Sequence, residues 1–371
     1  MQNMRHRPKG IVSSHPTEMR NNSTKADSGE LDGNRYTVVE KLGEGSFGVV
    51  YKIQDRNDDE FYAMKVPRET EKDKTKKCRK AVEYLNAEIE ALESIRRHHG
   101  IIRAVSYEKN EYLMMELGGG SCLDLMRRSR KVVTQGIFRV FEMVLDALEH
   151  IHSSGYVYRD IKPENILLNS CNQNSITNLK LVDFGSAIKI SAILNNSVVG
   201  TLRYCSINCH RAKAPCFLDD LENLVYVCIW MYEGKLPWEE KYLKIVESSV
   251  MEESRVEDVE EHNKQVVGSS RAADSQHKSS TNMRVCQTKM KYMEEVINGS
   301  KTSLTKDRKL HELYKFISSC QMRRRNLLKI VEIPTVYNPR IYERMREIIR
   351  SKEKKTISQS IYSLFCGCCV I

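Results

Sequence analysis

The sequence predicts an α+β chain of two lobes, a small sheet-rich lobe followed by a larger helical one. Three observations predict it. Short β-branched and aromatic segments flank a glycine-rich turn at residues 43–48, three consecutive glycines (Gly118 to Gly120) break the chain, and apolar residues beyond them fall at helical spacing. The composition can bury a core, since 40% of the 371 residues are hydrophobic and 29% charged. That excludes a mainly disordered, collagen-like or membrane-spanning chain. The longest apolar run, Leu224 to Tyr232, is far shorter than the ~20 residues a bilayer requires.

The elements follow in order. Residues 1–33 are rich in Asn, Ser, Gly and charge and read as a disordered leader; the polar, basic start from Met1 to Gly10 is not a signal peptide. Tyr36 to Leu42, Val49 to Gln54 and Phe61 to Val66 read as strands, and Val82 to Ile95 as a helix with Leu85, Ile89 and Leu92 on one face. Tyr112 to Leu117 is a buried strand running into the glycine break, and Gly136 to His152 a long amphipathic helix. Residues 246–284 open acidic (Glu247, Glu252, Glu253, Glu257, Asp258, Glu260, Glu261) and turn Ser/Asn/Gln-rich, which reads as a surface insertion. Residues 351–371 form a basic, cysteine-rich tail. Twelve cysteines without paired spacing read as reduced thiols in a cytoplasmic chain, and no combination of Cys and His spacings suggests zinc.

Three motifs carry chemistry. Gly43, Glu44, Gly45, Ser46, Phe47 and Gly48 form a G-x-G-x-x-G between two strands. A dinucleotide oxidoreductase needs the same motif to open a helix, which Val49-Val-Tyr-Lys does not do. Glycines in a hairpin let backbone N–H groups approach phosphates without a Cβ in the way. Lys65 follows at the spacing that puts an ammonium on the α/β phosphates, and Glu88, preferred over Glu90 because it adjoins Ile89 on the apolar stripe, is its expected partner. In Tyr158-Arg-Asp-Ile-Lys-Pro-Glu-Asn165, Asp160 suits the proton of an attacking hydroxyl, Lys162 the phosphoryl charge and Asn165 a magnesium ion. Asp183-Phe-Gly185, after the apolar Leu179 to Val182, supplies a second metal oxygen at Asp183.

Together these motifs resemble the protein kinase family over residues 36–350, which implies the two-lobed protein kinase fold (residues 34–117 and 118–350), ATP and Mg²⁺. Gly200-Thr-Leu-Arg-Tyr-Cys-Ser-Ile-Asn208, Asp219-Asp-Leu-Glu-Asn-Leu224 and Gly234-Lys-Leu-Pro-Trp238 resemble the casein kinase I family, whose Ser206-Ile207-Asn208 stands where most protein kinases have Ala-Pro-Glu. The resemblance implies that Asp220 holds the catalytic loop, that Met115 is the gatekeeper and that Glu116 and Leu117 form the hinge. By the same resemblance Leu42, Val49, Val50, Ala63 and Leu167 line the nucleotide. It implies a Ser/Thr kinase, with a scaffolding pseudokinase as the alternative; none of the lysine, base or metal aspartate is lost.

The chain departs from the family in places. Only Ser186 to Val199 separate Asp-Phe-Gly from the Gly-Thr pair, Lys189 is the one basic residue among them, and Tyr158 replaces a histidine. Arg203 and Lys291 match family positions that face a substrate anion, implying acidic or already phosphorylated protein substrates; no nucleic-acid partner is expected. The last residues, Cys368-Cys369-Val370-Ile371, read as an imperfect C-a-a-X signal, with prenylation at Cys368 and palmitoylation at Cys366. Arg350 to Lys355, with four positive charges against one negative, would assist at an anionic membrane on its cytosolic face.

Overall fold

The fold is built around two layers of different chemistry, a twisted antiparallel sheet and a helical bundle, joined at the glycine run. The computed structural model describes residues 30–31, 35–68, 76–168, 176, 178–192, 199–239, 270–300, 304–327 and 337–351. The cysteine-rich tail, with Cys366 and Cys368, and most of the leader lie outside these residues.

The first lobe holds β1 (Glu30–Leu31), β2 (Tyr36–Glu44), β3 (Gly48–Asp55), β4 (Phe61–Pro67), β5 (Ala104–Glu108) and β6 (Tyr112–Glu116) in one sheet of order β1-β2-β3-β4-β6-β5. Strand β1 falls within the range read as leader, where it pairs Glu30 with Thr37 and Leu31 with Tyr36. Alternation along the strands splits the side chains. Tyr36, Ile53, Met64 and Met114 make a small core on one face, while Leu113 and Met115 join the main core on the other. Helix α1 (Lys76–Ser94) lies against that second face, because Ala81, Leu85, Ile89 and, just past its end, Ile95 form one buried stripe.

Gly118 to Gly120 connect the lobes by docking on the short hairpin of β8 (Ile166–Leu168) and β9 (Leu179–Leu181). The Gly119 N–H donates to the Leu168 carbonyl at 2.9 Å, and a Cβ at Gly118 would sit 2.6 Å from Leu167 Cδ1. Helix α2 (Cys122–Gln135) then starts on a capping box of Ser121 and Asp124. Helix α3 (Ile137–Ser153) buries Val140, Phe141, Val144, Leu148 and Ile151, and leads through β7 (Tyr156–Val157) into the catalytic-loop sequence. β7 also pairs with β10 (Ile188–Lys189).

Beyond the short α4 (Ile207–His210), α5 (Phe217–Glu233) is buried almost all round, which makes it the axis of the second lobe and accounts for the longest apolar run. It ends at Gly234, whose φ of 82° is left-handed and glycine-favouring. Helices α6 (Ser270–Ile297), α7 (Arg308–Leu327) and α8 (Pro339–Arg350) complete the lobe. α6 begins inside the range read as an insertion, so the later part of that range is helical. α8 packs on α3 through Ile341, Tyr342, Met345 and Ile349, with ion pairs from Arg346 to Glu149 and from Arg350 to Glu142.

Candidate active site

Three segments that are distant in sequence converge between the lobes. In β4, Lys65 lies opposite Val50 of β3 and Leu113 of β6. Its Nζ reaches Glu88 Oε2 at 2.5 Å and Asp183 Oδ1 at 2.8 Å. Glu88 is fully buried on α1, whereas Glu90 is exposed. The second Glu88 oxygen accepts the Phe184 N–H at 3.0 Å, so one carboxylate ties α1 to both the lysine and the Asp-Phe-Gly turn. Burial would lower the Lys65 ammonium, but Glu88 and Asp183 more than offset it and hold it above its ordinary value. Burial likewise raises Asp183, and the Lys65 charge overcomes this and leaves the carboxyl below its usual range.

The segment from Tyr158 to Asn165 is held from beneath by Asp220, which is wholly buried on α5. Its carboxylate accepts the N–H groups of Tyr158 at 2.7 Å and Arg159 at 2.8 Å, and contacts His152 Nε2 at 2.8 Å. His152 Nδ1 in turn meets the Tyr342 hydroxyl of α8. These bonds compensate a buried charge and fix Arg159 at a φ of 72°, a left-handed conformation unfavourable for a side-chain-bearing residue. Asp160 is thereby presented with Lys162 Nζ at 2.7 Å, Asn165 Nδ2 at 3.2 Å and Thr201 Oγ1 at 3.1 Å. Gly200 lets the chain cross this loop, because a Cβ there would lie 2.4 Å from the Arg159 carbonyl. Tyr158, in the place of a histidine, packs edge-on against Phe184 and donates its hydroxyl to Val182 O.

The glycine turn lies above. The Gly45 N–H bonds the Gly48 carbonyl at 2.9 Å, and Glu44 pairs with Arg68 at 2.8 Å. A Cβ at Gly48 would meet the Val66 carbonyl at 2.7 Å, whereas Gly43 and Gly45 face open space. Phe47 stacks on Tyr84 of α1, with centroids 3.6 Å apart, so the tip of the turn rests on the helix that carries Glu88. Ala63 and Met115 are register partners and both are buried. Leu167 is half-buried and Leu42 stays exposed. The Glu116 carboxylate is committed to Lys180 at 2.6 Å and to the Arg103 N–H at 2.8 Å. Asp183 and Asn165 offer hard oxygen donors beside the lysine pair, a donor set that fits a small divalent cation.

Around α4, Ser206 Oγ and Asn208 Nδ2 both donate to Asp219, at 2.9 Å and 3.0 Å, and the Ile207 N–H donates to Glu222 at 3.0 Å. Arg203 and Lys291, expected to form an anion pocket, each have an acid of their own. Arg203 pairs with Glu239 at 3.2 Å above the Trp230 ring, and Lys291, 75% exposed, faces Glu295 at 3.7 Å. The sequence reading missed Lys289. It is fully buried between the Tyr226 and Trp238 rings, and its Nζ bonds Leu202 O at 3.2 Å, Cys205 O at 2.6 Å and His210 Nε2 at 3.0 Å. Only the helical stripe Val285, Lys289, Met293 and Val296 could have marked it. Cys122, Cys205, Cys209, Cys216, Cys228, Cys286 and Cys320 form no disulfide with one another.

The protein kinase domain family model matches residues 36–369. A probable casein kinase I homolog of Encephalitozoon cuniculi is 33% identical over 239 residues, covering 61% of this chain and 70% of that protein. A probable serine/threonine-protein kinase of Dictyostelium discoideum is 30% identical over 224 residues, 57% of this chain and 43% of the relative. A serine/threonine-protein kinase of Drosophila yakuba is 31% identical over 188 residues, 49% of this chain and 24% of the relative. The chain therefore spans less than half the length of the latter two relatives.

Proposed function

The chain belongs to the protein kinase family, as a protein serine/threonine kinase, and we propose that within it the chain works as a casein kinase I type enzyme on acidic or already phosphorylated proteins. The observation that carries the subgroup is the Ser206-Ile207-Asn208 turn. Where an Ala-Pro-Glu glutamate would need a cationic partner, Ser206 and Asn208 donate to Asp219 of α5. The relative named as a probable casein kinase I homolog supports the same reading.

Bound Mg²⁺–ATP supplies the transferable γ-phosphoryl group and the cation that neutralises its oxygens. Asp183 and Asn165 would hold the metal, and Lys65 the α/β phosphates under the turn from Gly43 to Gly48. Glu88 keeps the Lys65 ammonium in place. The Asp160 carboxylate orients the substrate hydroxyl and accepts its proton, while Lys162, 2.7 Å from Asp160, brings positive charge beside it. Ala63, Met115 and Leu167 give the adenine an apolar slot that excludes water.

Arg203 is the expected anchor for a substrate anion, which must compete with Glu239 for the guanidinium. Lipidation at Cys366 and Cys368, outside the described residues, would add peripheral membrane attachment. Of the basic run beside it, Arg350 is already engaged by Glu142 at 2.9 Å. Among the described residues no helix is long and apolar enough to cross a membrane.

A peptide-array assay with Mg²⁺–ATP, comparing acidic, pre-phosphorylated and basic serine peptides, tests the reading. Selective phosphorylation of the first two is expected. A preference for basic peptides would overturn the casein kinase I assignment, and no turnover on any peptide would overturn the proposed catalysis.

A further inference from the structure

Beside Glu116, the end of α1, the loop to β5 and strand β9 line a cavity of about 390 Å³ to which neither Lys65 nor Asp160 contributes. Its floor is apolar, formed by Leu92, Ile95, Ile101, Ile102 and Ala104. Its rim is cationic: Arg96, Arg97 and Arg103 stand exposed around that floor, with Lys180 and two histidines beside them. Among the described residues no carboxylate pairs with any of the three arginines. The one acid lining the cavity, Glu116, is already taken by Lys180 and the Arg103 N–H.

The backbone that carries these groups is fixed in advance. The Ile102 N–H donates to the Leu181 carbonyl at 3.0 Å, and the Leu181 N–H to the Gly100 carbonyl at 2.9 Å. His98 and His99 reach Asp146 at 3.2 Å and 3.5 Å, a grouping with the composition of a metal site. The Gly100 N–H, however, donates to His98 Nδ1 at 3.1 Å, so the proton of the neutral ring sits on Nε2 and points at Asp146. That nitrogen donates to Asp146, so neither ring nitrogen of His98 offers a free lone pair to a cation.

We propose that this cavity is a docking site for an acidic peptide segment of a protein partner, one that carries an apolar anchor side chain between its carboxylates. Guanidinium forks match carboxylates in geometry and charge. The apolar floor has nothing to offer inorganic phosphate but buries an anchor such as leucine. A rigid concave site also lowers the ordering cost of binding. Apart from Glu116, whose carboxylate is held by Lys180 and the Arg103 N–H, no residue lining this cavity takes part in nucleotide binding or phosphotransfer, so a docked partner would raise the local concentration of its own serines at the cleft.

The test uses the full chain and a fluorescein-labelled dodecapeptide of Asp and Glu with one central Leu and no hydroxyl residue, followed by fluorescence anisotropy. Wild type should bind, and R97E/R103E should bind at least tenfold more weakly while keeping the wild-type thermal midpoint. Replacing the peptide leucine by glycine should weaken binding severalfold. Arg203→Ala should bind as wild type does. Equal binding by R97E/R103E would overturn the proposal, as would equal binding of the leucine-free peptide or complete displacement by millimolar inorganic phosphate, both of which mean a bare anion sink. Loss of binding in Arg203→Ala would place the peptide at the substrate loop and overturn it too.

Discussion

The ammonium of Lys289 lies 2.6 Å from the carbonyl oxygen of Cys205, so a side chain of α6 fixes the backbone that enters α4. The same group reaches Leu202 O and His210 Nε2, so three acceptors between Leu202 and His210 are tied to one lysine. In Lys289→Met the stem still fills the space between Tyr226 and Trp238, but Cys205 O loses its ammonium donor, and Leu202 O and His210 Nε2 keep only the weak Cys205 thiol, at about 1–3 kcal/mol for each buried group left unpaired. The variant should melt at a lower temperature and show a raised KM for peptide with an unchanged KM for ATP. An unchanged peptide KM would remove Lys289 from substrate positioning.

Asp160→Asn and Lys65→Met should abolish phosphotransfer and leave the fold intact. Both keep the side-chain volume but remove charge that the transition state uses, a loss of several kcal/mol at ~1.4 kcal/mol per tenfold in rate. Circular dichroism and single-turnover kinetics on the same preparations measure the two halves of the claim. Wild-type turnover in Asp160→Asn would sink the mechanism.

Burial and the adjacent Lys289 charge push the His210 imidazole down to about 3. An unfolded histidine titrates near 6.5, so between those values the unfolded chain binds a proton that the folded chain refuses, and stability rises with pH across that window. Lowering the pH from about 6.5 should therefore weaken the fold by up to about 1.4 kcal/mol per unit from this residue. Urea unfolding of wild type and His210→Gln measures the difference, and the variant should show the flatter acid limb. Parallel slopes would contradict a buried neutral His210.

Arg203→Ala should weaken phosphorylation of acidic and pre-phosphorylated peptides at least several times more than that of neutral ones. The released Glu239 carboxylate, otherwise 3.2 Å from the guanidinium, adds repulsion toward an incoming anion. An equal loss on every peptide class would assign Arg203 to packing over Trp230 alone.

The strands around the glycine turn and the stripe on α1 are legible in the sequence because period 2 and period 3.6 are local properties. Glu88 is legible for the same reason: it adjoins Ile89, and its place on the helix follows from the stripe. What stays hidden is pairing across distance. Glu239 comes 36 positions after Arg203, and Glu142 lies 208 positions before Arg350, so no spacing announces either neutralisation. Lys289 is hidden differently. A lysine in a polar helix reads as solvated, and only the rings of Tyr226 and Trp238, placed by α5 and the turn after it, make its burial tolerable. The acidic onset of residues 246–284 likewise masks the start of α6, and among its described side chains the buried stripe runs from Val285.

Tyr342 meets His152, and His152 meets Asp220, which holds the backbone of Tyr158 and Arg159. The consequence is one of timing. A chain leaving the ribosome presents its glycine turn, Lys65 and Asp160 long before α8 exists. Until Tyr342 has been made and has docked, Asp220 lacks the end of its hydrogen-bond relay, so the loop that carries Asp160 waits for α8, the last of the described helices.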